Sequence, residues 1–198
     1  MGGTVTEHNA FKQMPDVALM LRVQWGCEDA FQEIYARYHR RLLDFFYGMS
    51  RSVHESEDLC HETFLRVWRL RARYAPSGSV GAYLFTVARH IWLENARQVR
   101  KRRRLGAETP LESLAECLPN GRPGPDVLAD RHEMNARIFA ALDQLPDEQR
   151  MAFVLRTVDG LGLDEIAEIL ECPLNTVRSR RLLAIRQLRE ALKGLLIL

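Results

Sequence analysis

Apolar residues recur along most of this chain at the three-and-four spacing of helices, and strict apolar-polar alternation is nearly absent. The pattern predicts an all-α protein. Residues 16–25 read as a short helix closed near Gly26. Residues 28–49 read as a long one, with Phe31, Ile34, Tyr35, Tyr38, Leu42 and Phe45 on a single stripe whose aromatic content marks it as core. A third helix over 55–74 turns Cys60, Phe64, Val67 and Trp68 inward, and Pro76-Ser77-Gly78-Ser79 breaks it. From Gly81 to about Arg103 a fourth helix points Leu84, Val87, Ala88 and Ile91 at the core.

The periodicity then fails. Between 105 and 130 the chain carries Gly106, Pro110 and the run Pro119-Asn120-Gly121-Arg122-Pro123-Gly124-Pro125, which is turn and linker chemistry. The expected organisation is therefore a first domain over 14–104, a linker over 105–130 and a second domain over 131–198. In the second domain Ile138, Ala141, Leu142 and Leu145 precede Pro146, and a further helix follows over 151–158. Two small helical domains on a tether can engage two separated sites on one ligand and gain effective concentration.

The richest stretch is 162–189. Leu163, Ile166, Ala167 and Leu170 form one apolar stripe, Glu171-Cys172-Pro173 makes a tight turn, and Asn175, Thr176, Arg178, Ser179 and Arg180 crowd the start of a second helix. Donor side chains at a helix end that a major groove admits point to a helix-turn-helix. Charge is sorted the same way. Residues 143–171 hold eight acidic and two basic side chains, a balance of −6, whereas 172–198 hold six basic and one acidic, a balance of +5. The whole-chain charge of +2 hides this polarity. An ordinary helical hairpin with a solvated basic face is the plainer alternative.

At 198 residues and 46% hydrophobic content, the chain can bury one core or two small ones. No apolar run approaches the roughly 20 residues that span a bilayer, and the first residues lack a basic-then-apolar signal, so a cytoplasmic protein with no membrane insertion is expected. Cys27, Cys60, Cys117 and Cys172 are scattered, without zinc-ligand spacing. They read as reduced packing thiols, and no metal or cofactor is expected.

Six of the eight residues from Arg97 to Arg104 are basic, a density suited to a phosphate backbone. Tyr83 and Trp92 beside that surface are candidates for stacking on unpaired bases, worth about 1 to 3 kcal/mol each, or for ordinary core packing. Glu55 to Asp58 are favourable anions for a first helical turn. Glu62, Arg66 and Arg69 form a one-turn-spaced polar face suited to docking a partner protein.

Taken in order, these segments resemble a known family. Glu28-Asp29-Ala30-Phe31, Glu57-Asp58-Leu59, Glu62-Thr63-Phe64-Leu65-Arg66-Val67-Trp68, Tyr83-Leu84-Phe85-Thr86-Val87-Ala88-Arg89, Leu145-Pro146-Asp147-Glu148-Gln149-Arg150, Asp164-Glu165-Ile166-Ala167 and Asn175-Thr176-Val177-Arg178-Ser179-Arg180 are similar to the extracytoplasmic-function sigma factors of the bacterial sigma-70 superfamily. The resemblance implies region 2 and region 4 domains that direct core RNA polymerase to promoter DNA. It implies polymerase docking through Asp58, Glu62 and Arg66. The loop over 76–82, with Ser77 and Ser79, would capture a flipped minus-ten base, and Tyr83 together with Glu94, Asn95, Arg97 and Arg100 of the following helix would contact the same element. Thr176, Arg178, Ser179 and Arg180 would read the minus-thirty-five element, and an anti-sigma factor would be a further partner.

The chain departs from the family pattern at Cys27, His61 and Tyr83, and at Arg181, Leu183 and Ile185, which leaves the DNA-facing residues of the far half of the recognition helix open. The expected function is that of a promoter-specificity subunit and not an enzyme. A helix-turn-helix regulator that does not join polymerase is the alternative. A hydrolase built on His54, Cys60 and His61 is disfavoured, since neighbouring residues on a helix point about 100° apart and no Gly-rich phosphate loop exists.

Overall fold

A computed structural model describes residues 10–76, 78–104, 137–157 and 160–193. Its helices are α1 (Asp16–Gln24), α2 (Glu28–Ser50), α3 (Val53–Leu70), α4 (Val80–Arg104), α5 (137–143), α6 (Asp147–Thr157), α7 (Leu163–Ile169) and α8 (Leu174–Ala191), with a 3-10 turn at Arg71–Arg73. No strand occurs among the described residues. The chain divides into two compact units, Met1–Asp44 with Glu57–Thr109, and Phe45–Ser56 with Pro110–Leu198. The expected linker over 105–130 lies outside the described residues.

In the first unit, apolar periodicity becomes a helical core of Leu19, Met20, Ile34, Leu42, Leu84 and Phe85, all fully buried. α1 ends as Gly26 takes φ 86°, a left-handed position glycine fills without steric cost. The N–H of Cys27 then reaches Arg22 O at 3.1 Å and that of Gly26 reaches Val23 O at 2.8 Å. Arg37 fastens the segment before α1 onto α2. Its guanidinium donates to Glu33 at 2.7 Å, to Asp16 at 2.6 Å, and to the carbonyls of Met14, Lys12 and Phe11 at 2.8, 2.8 and 3.1 Å. The Tyr38 hydroxyl donates to the other Asp16 oxygen. Ser79 caps α4, its Oγ accepting the Ala82 N–H at 3.0 Å.

The aromatic stripe of α2 divides between two environments. Ile34, Tyr38, Leu42 and Phe45 are buried as expected, whereas Phe31 and Tyr35, and Trp68 on α3, are only half-buried. Val87 is likewise half-buried, while Phe85 and Trp92 are buried in its place. One helix turn accommodates either choice, and the two large rings remove more apolar surface from water than a valine.

In the second unit, Ala141, Leu142 and Leu145 pack against Ala184 and Leu188 of α8, with Phe153 alongside. Arg150 is buried and keeps its charge company, donating to Asp143 and to the carbonyls of Asp143 and Leu145 at 3.3, 3.2 and 3.4 Å.

Candidate nucleic-acid and protein interfaces

Three faces carry the predicted functional residues. The first lies on α3, where Asp58 is exposed, Glu62 and Arg66 are half-buried, and Arg69 is exposed. Arg66 bridges two helices. Its Nη2 donates to Glu62 at 3.3 Å on its own helix, while Nη1 and Nη2 grip Glu94 of α4 at 3.0 and 2.9 Å. The Glu94 carboxylate hydrogen-bonded to it raises the Arg66 pKa, and Arg66 in turn holds the Glu94 carboxyl below its ordinary value. Beside this face Glu28, Phe31, Tyr35, His61, Phe64, Leu65 and Trp68 line an open, mostly apolar cleft of roughly 490 Å³. Leu65 leaves 49% of its surface in solvent there. Acidic side chains beside an open, mostly apolar cleft suit a protein partner better than a phosphate.

The second face is the amino end of α4 and its basic carboxyl end. The Ser79 hydroxyl is engaged as the helix cap, and Ser77 lies outside the described residues. Tyr83 is half-buried, edge-on to the buried Tyr74 ring at 5.1 Å, and burial raises its pKa. The Gln24 side-chain amide donates to Tyr74 O at 3.2 Å and so ties α1 to this corner. Trp92 is 8% exposed, which removes it as a stacking platform. Farther along α4, Asn95 is half-buried, and Arg97 and Arg100 are exposed.

The third face is the helix-turn-helix. Glu165 accepts the N–H of Gly162 at 3.0 Å at the start of α7. At its end Glu171 adopts φ 51°, and the Cys172 N–H reaches Ala167 O at 3.1 Å. Pro173, the cap residue of α8, sets the entry of the second helix. Val177, Ala184 and Leu188 anchor α8 by one buried stripe. The opposite side presents Asn175, Arg178 and Ser179, all exposed, with Thr176 half-buried.

Arg180 is arranged differently from Arg178. It donates to Glu148 on α6 and, at 3.3 Å, to the Cys172 sulfur, with 21% of its side chain exposed. Arg178 donates within its own helix, to Asn175 Oδ1 at 3.3 Å, and is exposed. In the far half of α8, Leu182 and Leu183 are 67% and 46% exposed while Arg181 and Ile185 are half-buried.

Comparison with known proteins settles the kinship. A model of Sigma-70 region 2 matches residues 34–104 and one of Sigma-70 region 4 matches 135–188. The chain is 30% identical over 172 residues to the ECF RNA polymerase sigma factor SigX of Bacillus subtilis, covering 84% of this chain and 87% of that protein. This chain belongs to the extracytoplasmic-function sigma factors of the sigma-70 family.

The sigma factor is also 34% identical over 163 residues to the ECF RNA polymerase sigma factor SigE of Mycolicibacterium smegmatis, covering 82% of this chain but 62% of that longer protein. Among solved structures, the sigma factor RpoE of Bartonella quintana, crystallised with the anti-sigma factor NepR, shares its fold at TM-score 0.68. There the identity is 24%, with 82% of this chain and 96% of that chain covered. Among the described residues no helix is long and apolar enough to cross a membrane.

The hydrolase alternative has no support in this sigma factor's geometry. Cys60 is fully buried, its thiol pushed up to about 12 by desolvation, and it points at the His39 carbonyl at 3.8 Å, whereas His61 is exposed. A protonated buried thiol is an inert one. The cleft residues Phe31, Tyr35 and Leu65 and the exposed Leu182 escaped sequence reasoning. Phe31 and Tyr35 read as core from their apolar type at helical spacing, and only contact with the rest of the fold shows otherwise.

Proposed function

We propose that this sigma factor binds core RNA polymerase and directs it to promoters, region 4 reading the minus-thirty-five element and region 2 the minus-ten element. The observation that carries the reading is the split character of α8: one face is buried by Val177, Ala184 and Leu188, and the other offers exposed Arg178 and Ser179 at the helix start. A major groove admits such an end, and an arginine placed there can grip guanine O6 and N7 in two hydrogen bonds. Thr176 and Arg180 complete the set, Arg180 through its hold on Glu148.

Region 2 would dock on polymerase through Asp58, Glu62 and Arg66, with the apolar cleft of α2 and α3 beside them. Ser77, Ser79, Tyr83, Asn95, Arg97 and Arg100 would meet the minus-ten element. Extruding a base there costs a few kcal/mol of stacking and pairing; the cations of α4 offset it by phosphate contact. The chain then acts by binding alone, without catalysis, in the cytoplasm where polymerase and promoter meet. An anti-sigma factor is a natural partner, since the exposed cleft and basic faces would be shielded in an inactive complex.

The test is transcription in vitro with purified core polymerase on a randomised promoter library. Promoter-dependent initiation, with a selected sequence at both elements, is expected. No initiation on any sequence would overturn the proposal, and DNA binding without polymerase would favour the regulator alternative.

A further inference from the structure

We propose that Glu94 is a positioning residue for the polymerase-docking surface, holding Arg66 in place, and not a reader of promoter bases. The inference rests on the docking and minus-ten assignments above. Glu94 is the one acidic residue on α4, a helix of 25 residues that ends in a cluster of cations. A carboxylate in that setting has two uses. It can accept from the exocyclic amine of cytosine, or it can neutralise a cation of the fold itself.

Its geometry favours the second. Both Glu94 oxygens are engaged by one guanidinium, Oε1 by Arg66 Nη1 at 3.0 Å and Oε2 by Nη2 at 2.9 Å. This is the two-pronged arrangement in which arginine binds a carboxylate most strongly and most directionally. A base amine would have to compete with that fork. Arg66, His90 and Arg97 all keep the carboxyl ionised, so it remains a ligand for Arg66 at neutral pH.

The same Nη2 also meets Glu62 at 3.3 Å, so two carboxylates on two helices fix a single guanidinium. With 29% of its side chain exposed, Arg66 presents a set orientation, while Glu62 and Glu94 are 38% and 50% exposed. Orienting a long side chain before docking removes an ordering cost from association. Without the Glu94 charge, Arg66 is steadied only by a carboxylate one turn away on its own helix, a weak and mobile pairing.

The experiment uses the full-length chain and purified core polymerase. Two quantities are read: polymerase affinity without DNA, and base preference of the assembled holoenzyme at each minus-ten position. Glu94→Gln keeps the shape and removes the charge. It is expected to weaken polymerase affinity three- to fivefold, about what a half-exposed ion pair supplies, and to leave base preference unchanged. Glu94→Asp, which restores the charge at shorter reach, is expected to recover at least half of that loss. In an Arg66→Ala background Glu94→Gln should change polymerase affinity by less than twofold, because Glu94 acts through Arg66.

Altered base preference with unchanged polymerase affinity would overturn the inference and return Glu94 to the DNA face. An equal loss in the Arg66→Ala background would overturn it as well. Failure of the unsubstituted chain to support promoter-dependent initiation would instead sink the functional reading itself, so the two failures are distinguishable.

Discussion

Arg178 and Arg180 stand two residues apart on α8 in different surroundings. Arg178 is exposed and donates to Asn175 on its own helix, a position from which it can turn toward a base edge. Arg180 is tied to Glu148 and Cys172 and helps fasten α8 to α6. Arg178→Ala is therefore expected to cost about 1 to 3 kcal/mol of discrimination at one minus-thirty-five position. Competition binding of the holoenzyme against single-base promoter variants measures it. Neutralising Arg100 and Arg102 on α4 should weaken binding to all promoters alike and lower the slope of log affinity against log salt by about one per lost phosphate contact. If both changes altered every promoter equally and shared one salt slope, the division between reading and holding would fail.

At the scale of elements, the helix boundaries were largely legible in the chain because local chemistry sets them. Gly26 closes α1, Ser79 caps α4 and Pro173 opens α8, each by backbone geometry or hydrogen bonds within a few residues. What periodicity could not reveal is which of the apolar residues flanking a stripe faces the core, or which distant side chain a charge meets. Trp92 is buried where Val87 is not, and Arg66 finds Glu94 across 28 residues of sequence. Pairs so far apart leave no local signature.

His39 on α2 and His61 on α3 are another pair distant in sequence that interact. His39 stacks on Tyr35 at 4.7 Å, and its pKa is lowered, first by burial and then by the nearby His61, against an opposing pull from Glu57 and with a smaller push from Arg40. A histidine whose folded pKa lies below its unfolded value of about 6.5 binds fewer protons folded than unfolded. The stability it secures is present above that value and declines as pH falls through it. Melting temperature is expected to drop between pH 7.5 and 5.5, and His39→Gln, which does not titrate, should make that drop shallower. Equal slopes for the two proteins would exclude His39 as a source.

For the whole molecule, net charge says little, since +2 hides a −6 stretch over 143–171 joined end to end with a +5 stretch over 172–198. The tether says more. The proline and glycine run at 119–125 separates the segments matched by region 2 and region 4, so promoter affinity draws on two contacts joined through one chain. Effective concentration of a tethered second contact falls only as about the −3/2 power of tether length. Ten added glycine and serine residues carrying a protease site after Asn120 should thus lower holoenzyme affinity for a promoter bearing both elements by less than about twofold. Cleaving that site, with both halves still present, should lower it by a factor on the order of 100 or more, while a promoter lacking the minus-thirty-five element responds little. Equal affinity before and after cleavage would mean that the two contacts are held together by polymerase alone, and that the chain joining them contributes nothing to recognition.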